Sequence, residues 1–176
     1  MKPSGPQSLD RAGIAARIPH QGRMVLLDRL LGWDAETIEC SATGHADAAH
    51  PLRTASGLLA PCAIEYAAQA MALHGALTAS GLAGSAAVSA PAPGYLASVR
   101  GVHLAVERLD DVAGALHVRA RRLAGDARQI SYRFEVADDT GRTLVDGRAT
   151  VVLNTPLEDA PSAPAGPGVA PRGNTS

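Results

Sequence analysis

Pro61-Cys62-Ala63-Ile64-Glu65-Tyr66-Ala67-Ala68-Gln69-Ala70-Met71-Ala72-Leu73-His74-Gly75-Ala76-Leu77 is the stretch whose reading decides the fold. Proline stands where a first helical residue is favoured, and good helix formers follow it. The residues are small or apolar almost all the way round, which suits a helix enclosed by other structure and not one with a wet face. Glu65 is the single charged side chain between Arg53 and Arg100. An ionised group is rarely enclosed without a partner, so this carboxylate needs an explanation. One is structural, because the positive end of the helix dipole favours a carboxylate by roughly 0.3–1 kcal/mol. The other is chemical and depends on what faces it.

Working outward, polar and apolar residues alternate before the helix from Glu36 to Thr43 and predict a half-buried strand. Leu9 to Arg17 predicts a short helix, and Met24 to Leu31 is an apolar run that fits a strand or a helix. After the helix, Ser80 to Gly94 is rich in Gly, Ser, Ala and Pro and reads as a long loop. Alternation then returns at Val102–Glu107, at Leu116–Arg121 and at Ile130–Val136, with a last strand from Thr143 to Leu153. Turn residues near Asp110-Asp111, Gly125-Asp126 and Asp138–Gly141 predict antiparallel neighbours. An apolar helix among such strands predicts an α+β hotdog fold, a long central helix wrapped by a curved antiparallel sheet. Closing the open edge of such a sheet predicts a dimer.

The chain has 176 residues, of which 46% are hydrophobic, enough for one core. The expected organisation is an N-terminal extension over residues 1–17, one domain over 18–154, and a disordered Pro/Ala/Gly-rich tail over 155–176. A net charge of -1 argues against a nucleic-acid binder. Two cysteines, Cys40 and Cys62, form neither a zinc set nor a disulfide scaffold. Residues 1–10 lack the apolar stretch of a signal peptide, and the uncharged span after Glu65 is broken by Gly, Ser and Pro. The expectation is a cytoplasmic protein without a membrane span.

Ile18-Pro19-His20, Met24–Arg29, His50-Pro51-Leu52 and Ala63–Ala70, in that order, resemble the hotdog-fold 3-hydroxyacyl-[acyl carrier protein] dehydratases, within them the aryl-polyene branch. The resemblance covers roughly Ile18 to Leu153. It implies elimination of water from a 3-hydroxyacyl thioester to a trans-2-enoyl thioester, in aryl-polyene or fatty-acid-like biosynthesis. The substrate would ride on the phosphopantetheine of an acyl carrier protein, with no other cofactor and no metal. The reaction needs a base for the proton beside the carbonyl, an acid for the departing hydroxyl and donors for the enolate-like oxygen.

His50 is the implied base, because an imidazole titrates near working pH, and Glu65 is the implied acid, its carboxyl pushed towards protonation by apolar enclosure. The two would come from different protomers of a homodimer or of a heterodimer with another hotdog subunit. The N–H groups of Cys62 and Ala63 would meet the thioester oxygen, and Tyr66 and Gln69 would line the site. His45 is an alternative base, His20 is expected to tie a loop to the first strand, and His74 to be a satisfied core histidine. Asp28 is expected to cap or to pair with Arg29. Arg100, Arg108, Arg119, Arg121, Arg122, Arg128 and Arg133 make the strand half basic, either as an ordinary solvated face or as a docking patch for an acidic carrier. Two alternatives stand beside the dehydratase: a hotdog acyl thioesterase, in which Glu65 activates water, and a non-catalytic hotdog partner subunit.

Overall fold

The computed structural model describes residues 8–83, 94–126 and 128–153. In chain order the elements are β1 (Leu9–Asp10), α1 (Arg11–Ala15), β2 (Arg29–Trp33), β3 (Thr37–Ala42), α2 (Ala63–Ala83), β4 (Gly94–Leu104), β5 (Leu116–Gly125), β6 (Gln129–Ala137) and β7 (Thr143–Leu153). Three short 3-10 turns precede α2, at Gly22–Met24, Gly44–Ala46 and Ala60–Cys62. The seven strands form one antiparallel sheet in the order β1-β2-β3-β5-β6-β7-β4.

The enclosed helix is present. From Ala63 to Thr78 every α2 residue is buried or half-buried, and the helix packs chiefly on β3, β5 and β6. Ala63, Ala67 and Ala70 are fully buried; with no side chain beyond Cβ they let the sheet approach the helix backbone. Strand alternation supplies the other wall. Ile38, Cys40 and Ala42 of β3, Val118 and Ala120 of β5, and Tyr132, Phe134 and Val136 of β6 face inward, while Glu39, Arg119 and Arg133 face out. Gly147 of β7 lacks a side chain because the Phe134 ring occupies the space, and an added Cβ would lie 3.0 Å from it.

Four expectations change. The segment from Ser80 to Ala83 is helix, so the expected loop starts later; residues 84–93 lie outside the described residues, as does the expected tail. Within the expected N-terminal extension, residues 9–15 are integral to the fold: β1 pairs with β2, Asp10 caps α1 by accepting from Gly13 N–H at 2.9 Å, and Ile14 is fully buried. The Met24 to Leu31 run divides, Val25–Leu27 being buried extended backbone and the strand beginning at Arg29.

Finally, the strand expected at Val102–Glu107 ends at Leu104 and pairs with β7, not with β5. The segment after β4 does not turn a hairpin because its backbone is committed elsewhere. Glu107 C=O accepts from Ala60 N–H at 2.8 Å, and Leu109 N–H donates to Leu58 C=O at 2.8 Å. β4 is thereby the sheet edge. Its residues are exposed or half-buried throughout, with Leu104 44% exposed where an inward position was expected. Among the described residues no helix is long and apolar enough to cross a membrane.

Candidate active site

The expected site residues gather where the Ala60–Cys62 turn runs into α2. Two polar clusters occupy this mouth. In the first, His50 is 7% exposed and Tyr66 fully buried. The Tyr66 hydroxyl lies 2.9 Å from His50 Nε2, and the two rings stack with centroids 6.0 Å apart. Leu52 N–H donates to His50 Nδ1 at 3.2 Å. That nitrogen therefore keeps its lone pair, and Nε2 carries the proton towards the Tyr66 oxygen. Burial holds the imidazole below its ordinary pKa, against the raising charge of Asp47, so the ring is biased to the neutral form.

In the second cluster Glu65, half-buried, lies 2.9 Å from His20 Nε2 and accepts from Gln69 Nε2 at 3.0 Å. Burial pushes the carboxyl up, but the hydrogen bonds from His20 and Gln69 and the charge of His20 outweigh it and hold Glu65 below its ordinary value. The expectation of a carboxyl protonated by apolar enclosure is thus corrected, because its surroundings are not apolar. His20 does not tie a loop to the first strand; it is the partner the carboxylate required. His20 Nδ1 is buried without a partner.

Gln69 is fully buried and joins three segments. It donates to Met24 C=O at 2.7 Å and to Glu65, and accepts from Leu26 N–H at 2.9 Å. Leu26 N–H and Met24 C=O, which lie outside the strand ladders, are satisfied this way. Gln69 also orients Glu65 from one turn along α2.

The loop carrying His50 is held from outside by Asp110. This carboxylate lies 2.8 Å from Arg53 and 2.6 Å from Arg108 and accepts from Leu58 N–H at 3.1 Å. The Arg108 hydrogen bond brings its pKa down to about 2. Gly57 has φ +97°, and a Cβ there would strike the Arg108 guanidinium at 2.6–2.8 Å, so glycine is required under this clamp.

The remaining expected residues sort plainly. Cys62 and Ala63 stand at the helix entry, but Cys62 N–H donates to Leu59 C=O at 2.9 Å and Ala63 N–H to Ala60 and Pro61, so these amides are engaged inside the 3-10 turn. Burial raises the Cys62 thiol, so it stays protonated. His45 Nε2 donates to Val112 C=O at 2.9 Å, and its Nδ1 is buried without a partner. His74 is the satisfied core residue expected, between Tyr132 Oη at 3.0 Å and Asp34 C=O at 2.9 Å. Asp28 pairs with Arg11 at 3.1 Å and accepts from Thr43 N–H at 2.6 Å, not from Arg29. No group of His, Cys, Asp and Glu among the described residues could hold a metal ion. Within one chain no hydrogen bond joins His50 to Glu65.

A long helix enclosed by a curled antiparallel sheet, with imidazole and carboxylate at its entry, defines a hotdog-fold protein. The fold is shared with a thioesterase from Haemophilus influenzae, 11% identical, with a TM-score of 0.59 over 90% of this chain and 98% of that one. A mutant thioesterase from Pseudomonas aeruginosa is similar at 16% identity and a TM-score of 0.51, over 71% and 79% of the two chains. The chain belongs to the ApeP-like family, described as ApeP dehydratase, which it matches over residues 12–161. It is 26% identical to a chain of the dehydratase heterocomplex ApeI:P from Xenorhabdus doucetiae, with a TM-score of 0.67 over 80% of this chain and 90% of that one. Among curated proteins none matches. The family carries dehydratase activity, and the thioesterases share the fold alone.

Proposed function

We propose that this chain removes water from a 3-hydroxyacyl thioester carried on an acyl carrier protein, with His50 and Glu65 handling the two protons. The C2 proton leaves to a base, the C3–O bond breaks, and the hydroxyl takes a proton and departs as water, leaving the trans-2-enoyl thioester. The observation that carries the reading is the helix mouth, where a neutral imidazole and an ionised carboxylate stand in separate, oriented clusters. Facing groups from two subunits would bring them onto one substrate. The uncovered β4 edge, with Tyr95, Leu96 and Leu104 exposed, is where a second hotdog subunit would extend the sheet. A partner subunit of the same fold accords with the heterocomplex just described.

The resemblance makes His50 the base and Glu65 the acid. In that case Glu65 must first take up a proton against the hydrogen bonds from His20, 2.9 Å away, and Gln69, and His50 accepts at Nε2 after giving up the 3.2 Å Leu52 contact. The hydrogen bonding favours the exchanged roles: Glu65, held ionised, accepts the C2 proton, and His50 Nε2–H with the Tyr66 hydroxyl supplies the leaving group.

Incubation with a 3-hydroxyacyl thioester and its enoyl product, followed by mass, tests the reaction. Turnover is expected to fall roughly 100- to 10,000-fold in His50→Ala and in Glu65→Gln, with folding intact. Free thiol released without change at the 2,3 bond would overturn the reading. Exchange of the C2 proton with deuterated solvent then assigns the roles, because it disappears in the variant lacking the base and persists in the variant lacking the acid.

A further inference from the structure

The two donors that reach Glu65 meet the same oxygen. His20 Nε2 lies 2.9 Å from Oε1, and Gln69 Nε2 donates to Oε1 at 3.0 Å. A carboxylate oxygen offers two lone pairs, so two donors occupy Oε1 fully. No hydrogen bond or ion pair reaches Oε2 among the described residues, and Oε2 is not enclosed, the side chain being 30% exposed. The carboxyl therefore has one occupied inner oxygen and one accessible outer oxygen.

A glutamate does not hold that distinction unaided, because its terminal torsion is broad and two-fold. Here the donors come from separate segments, His20 from the loop after α1 and Gln69 from one turn further along α2. Gln69 cannot exchange the ends of its amide, since Leu26 N–H requires the oxygen at 2.9 Å and Met24 C=O requires the nitrogen at 2.7 Å. Two fixed donors converging on one point set the plane of the carboxylate.

The His20 ring has one polar contact among the described residues. Its Nδ1 is buried without a partner. A relay that carried protons through the ring would need a group at Nδ1 to receive them, so the ring acts on Glu65 in place. Burial pushes the Glu65 carboxyl up, and the two donors outweigh it.

We infer that His20 is a positioning residue: together with Gln69 it occupies the inner oxygen of Glu65 and leaves Oε2 as the atom that exchanges a proton with the substrate. The inference deepens the proposed dehydration and rests on it. It holds for both assignments of acid and base. With Glu65 as base, Oε2 bonds the C2 proton while the C2–H electron pair passes to the enolate-like thioester. With Glu65 as acid, the Oε2–H bond breaks and its proton goes to the departing hydroxyl. In both cases the contacts at Oε1 stay in place.

The full chain, together with its partner subunit where one is needed, tests this with two substitutions at one position. His20→Phe keeps a ring but no donor, and His20→Gln carries an amide N–H to about the reach of Nε2. With a short 3-hydroxyacyl thioester, kcat should fall on the order of ten- to a hundredfold in His20→Phe with KM nearly unchanged, and His20→Gln should recover most of the loss. Independently of turnover, the Glu65 carboxyl carbon, followed by carbon-13 NMR and identified by its loss in Glu65→Gln, should titrate at higher pH in His20→Phe than in wild type. Thermal melts of both variants should stay cooperative; where His20→Phe does not fold, His20→Ala takes its place. A folded donor-less variant that turns over as wild type does, a His20→Gln as slow as that variant, or an unmoved Glu65 titration would overturn the inference. If wild type leaves the thioester unchanged while the Glu65 titration still shifts, the proposed reaction falls and the occupied inner oxygen stands.

Discussion

Two histidine–tyrosine pairs each have one member on α2, and they differ in what surrounds them. His50 and Tyr66 meet at 2.9 Å at the helix mouth; His74 and Tyr132 meet at 3.0 Å deeper along the helix. Burial lowers the pKa of both imidazoles. At the deep pair the second ring nitrogen donates to the Asp34 carbonyl, and the network closes on the backbone. At the mouth the second nitrogen accepts from its own loop, which is clamped by Asp110, and ionised Glu65 stands next to Tyr66 on the same turn of the helix. A buried histidine–tyrosine bond is therefore no marker of chemistry. What sets the mouth apart is the second titratable cluster on α2 beside it and the Asp110 clamp on the His50 loop.

The sharpest way to break this comparison is to remove one hydroxyl from each pair. Tyr66→Phe should lower turnover by on the order of ten- to a hundredfold by freeing the His50 ring, with a smaller change in stability. Tyr132→Phe should leave turnover per folded molecule unchanged and cost about 1–3 kcal/mol in urea unfolding, because His74 Nδ1 is left buried without a donor. Equal kinetic effects in the two variants would show that the pairs are not different in kind.

Gln69→Leu probes the bridge between the mouth and the rest of the core. Leu26 N–H and Met24 C=O lose their partner, so unfolding free energy should drop by roughly 1–3 kcal/mol, and the acid limb of the pH–rate profile should move up as Glu65 loses one donor.

The smallest effect is a graded dependence of stability on pH. His50 and His74 fold with pKa values below their ordinary 6.5, so the stability they lend is complete above that value and is lost as pH falls towards their folded values. Glu65 folds below its ordinary 4.5; its contribution is complete above 4.5 and is lost as pH falls through the folded value. Thermal melts should accordingly show two descending steps. His74→Gln should shrink the upper one, and Glu65→Gln should flatten its share of the lower one.

Much of this was legible in residue order. The helix from Pro61, the β3 alternation and the start of the last strand at Thr143 follow from local periodicity, and the isolation of Glu65 in an uncharged stretch marked the site. The partner of Glu65 was not legible. His20 lies far back in the chain beside a proline, and no spacing rule ties it to a carboxylate on α2. Nor was the edge position of β4, because a strand's alternation is the same whichever neighbour it pairs with, and the neighbour was settled by the bonds of Glu107 and Leu109 to the Leu58–Ala60 loop.

By itself, then, the order of residues determined an enclosed helix, a set of alternating strands and a carboxylate and imidazole near one helix end, since each is a property of a few neighbouring residues and their side-chain period. Only the tertiary structure decided that Glu65 is held ionised by His20 and Gln69, that β4 is the sheet's uncovered edge, and that Arg121, Arg133, Arg148 and Arg100 of four strands lie opposite one another. Those outcomes depend on which distant backbones share hydrogen bonds, and a one-residue slip of any one strand would move that strand's side chains to the opposite face.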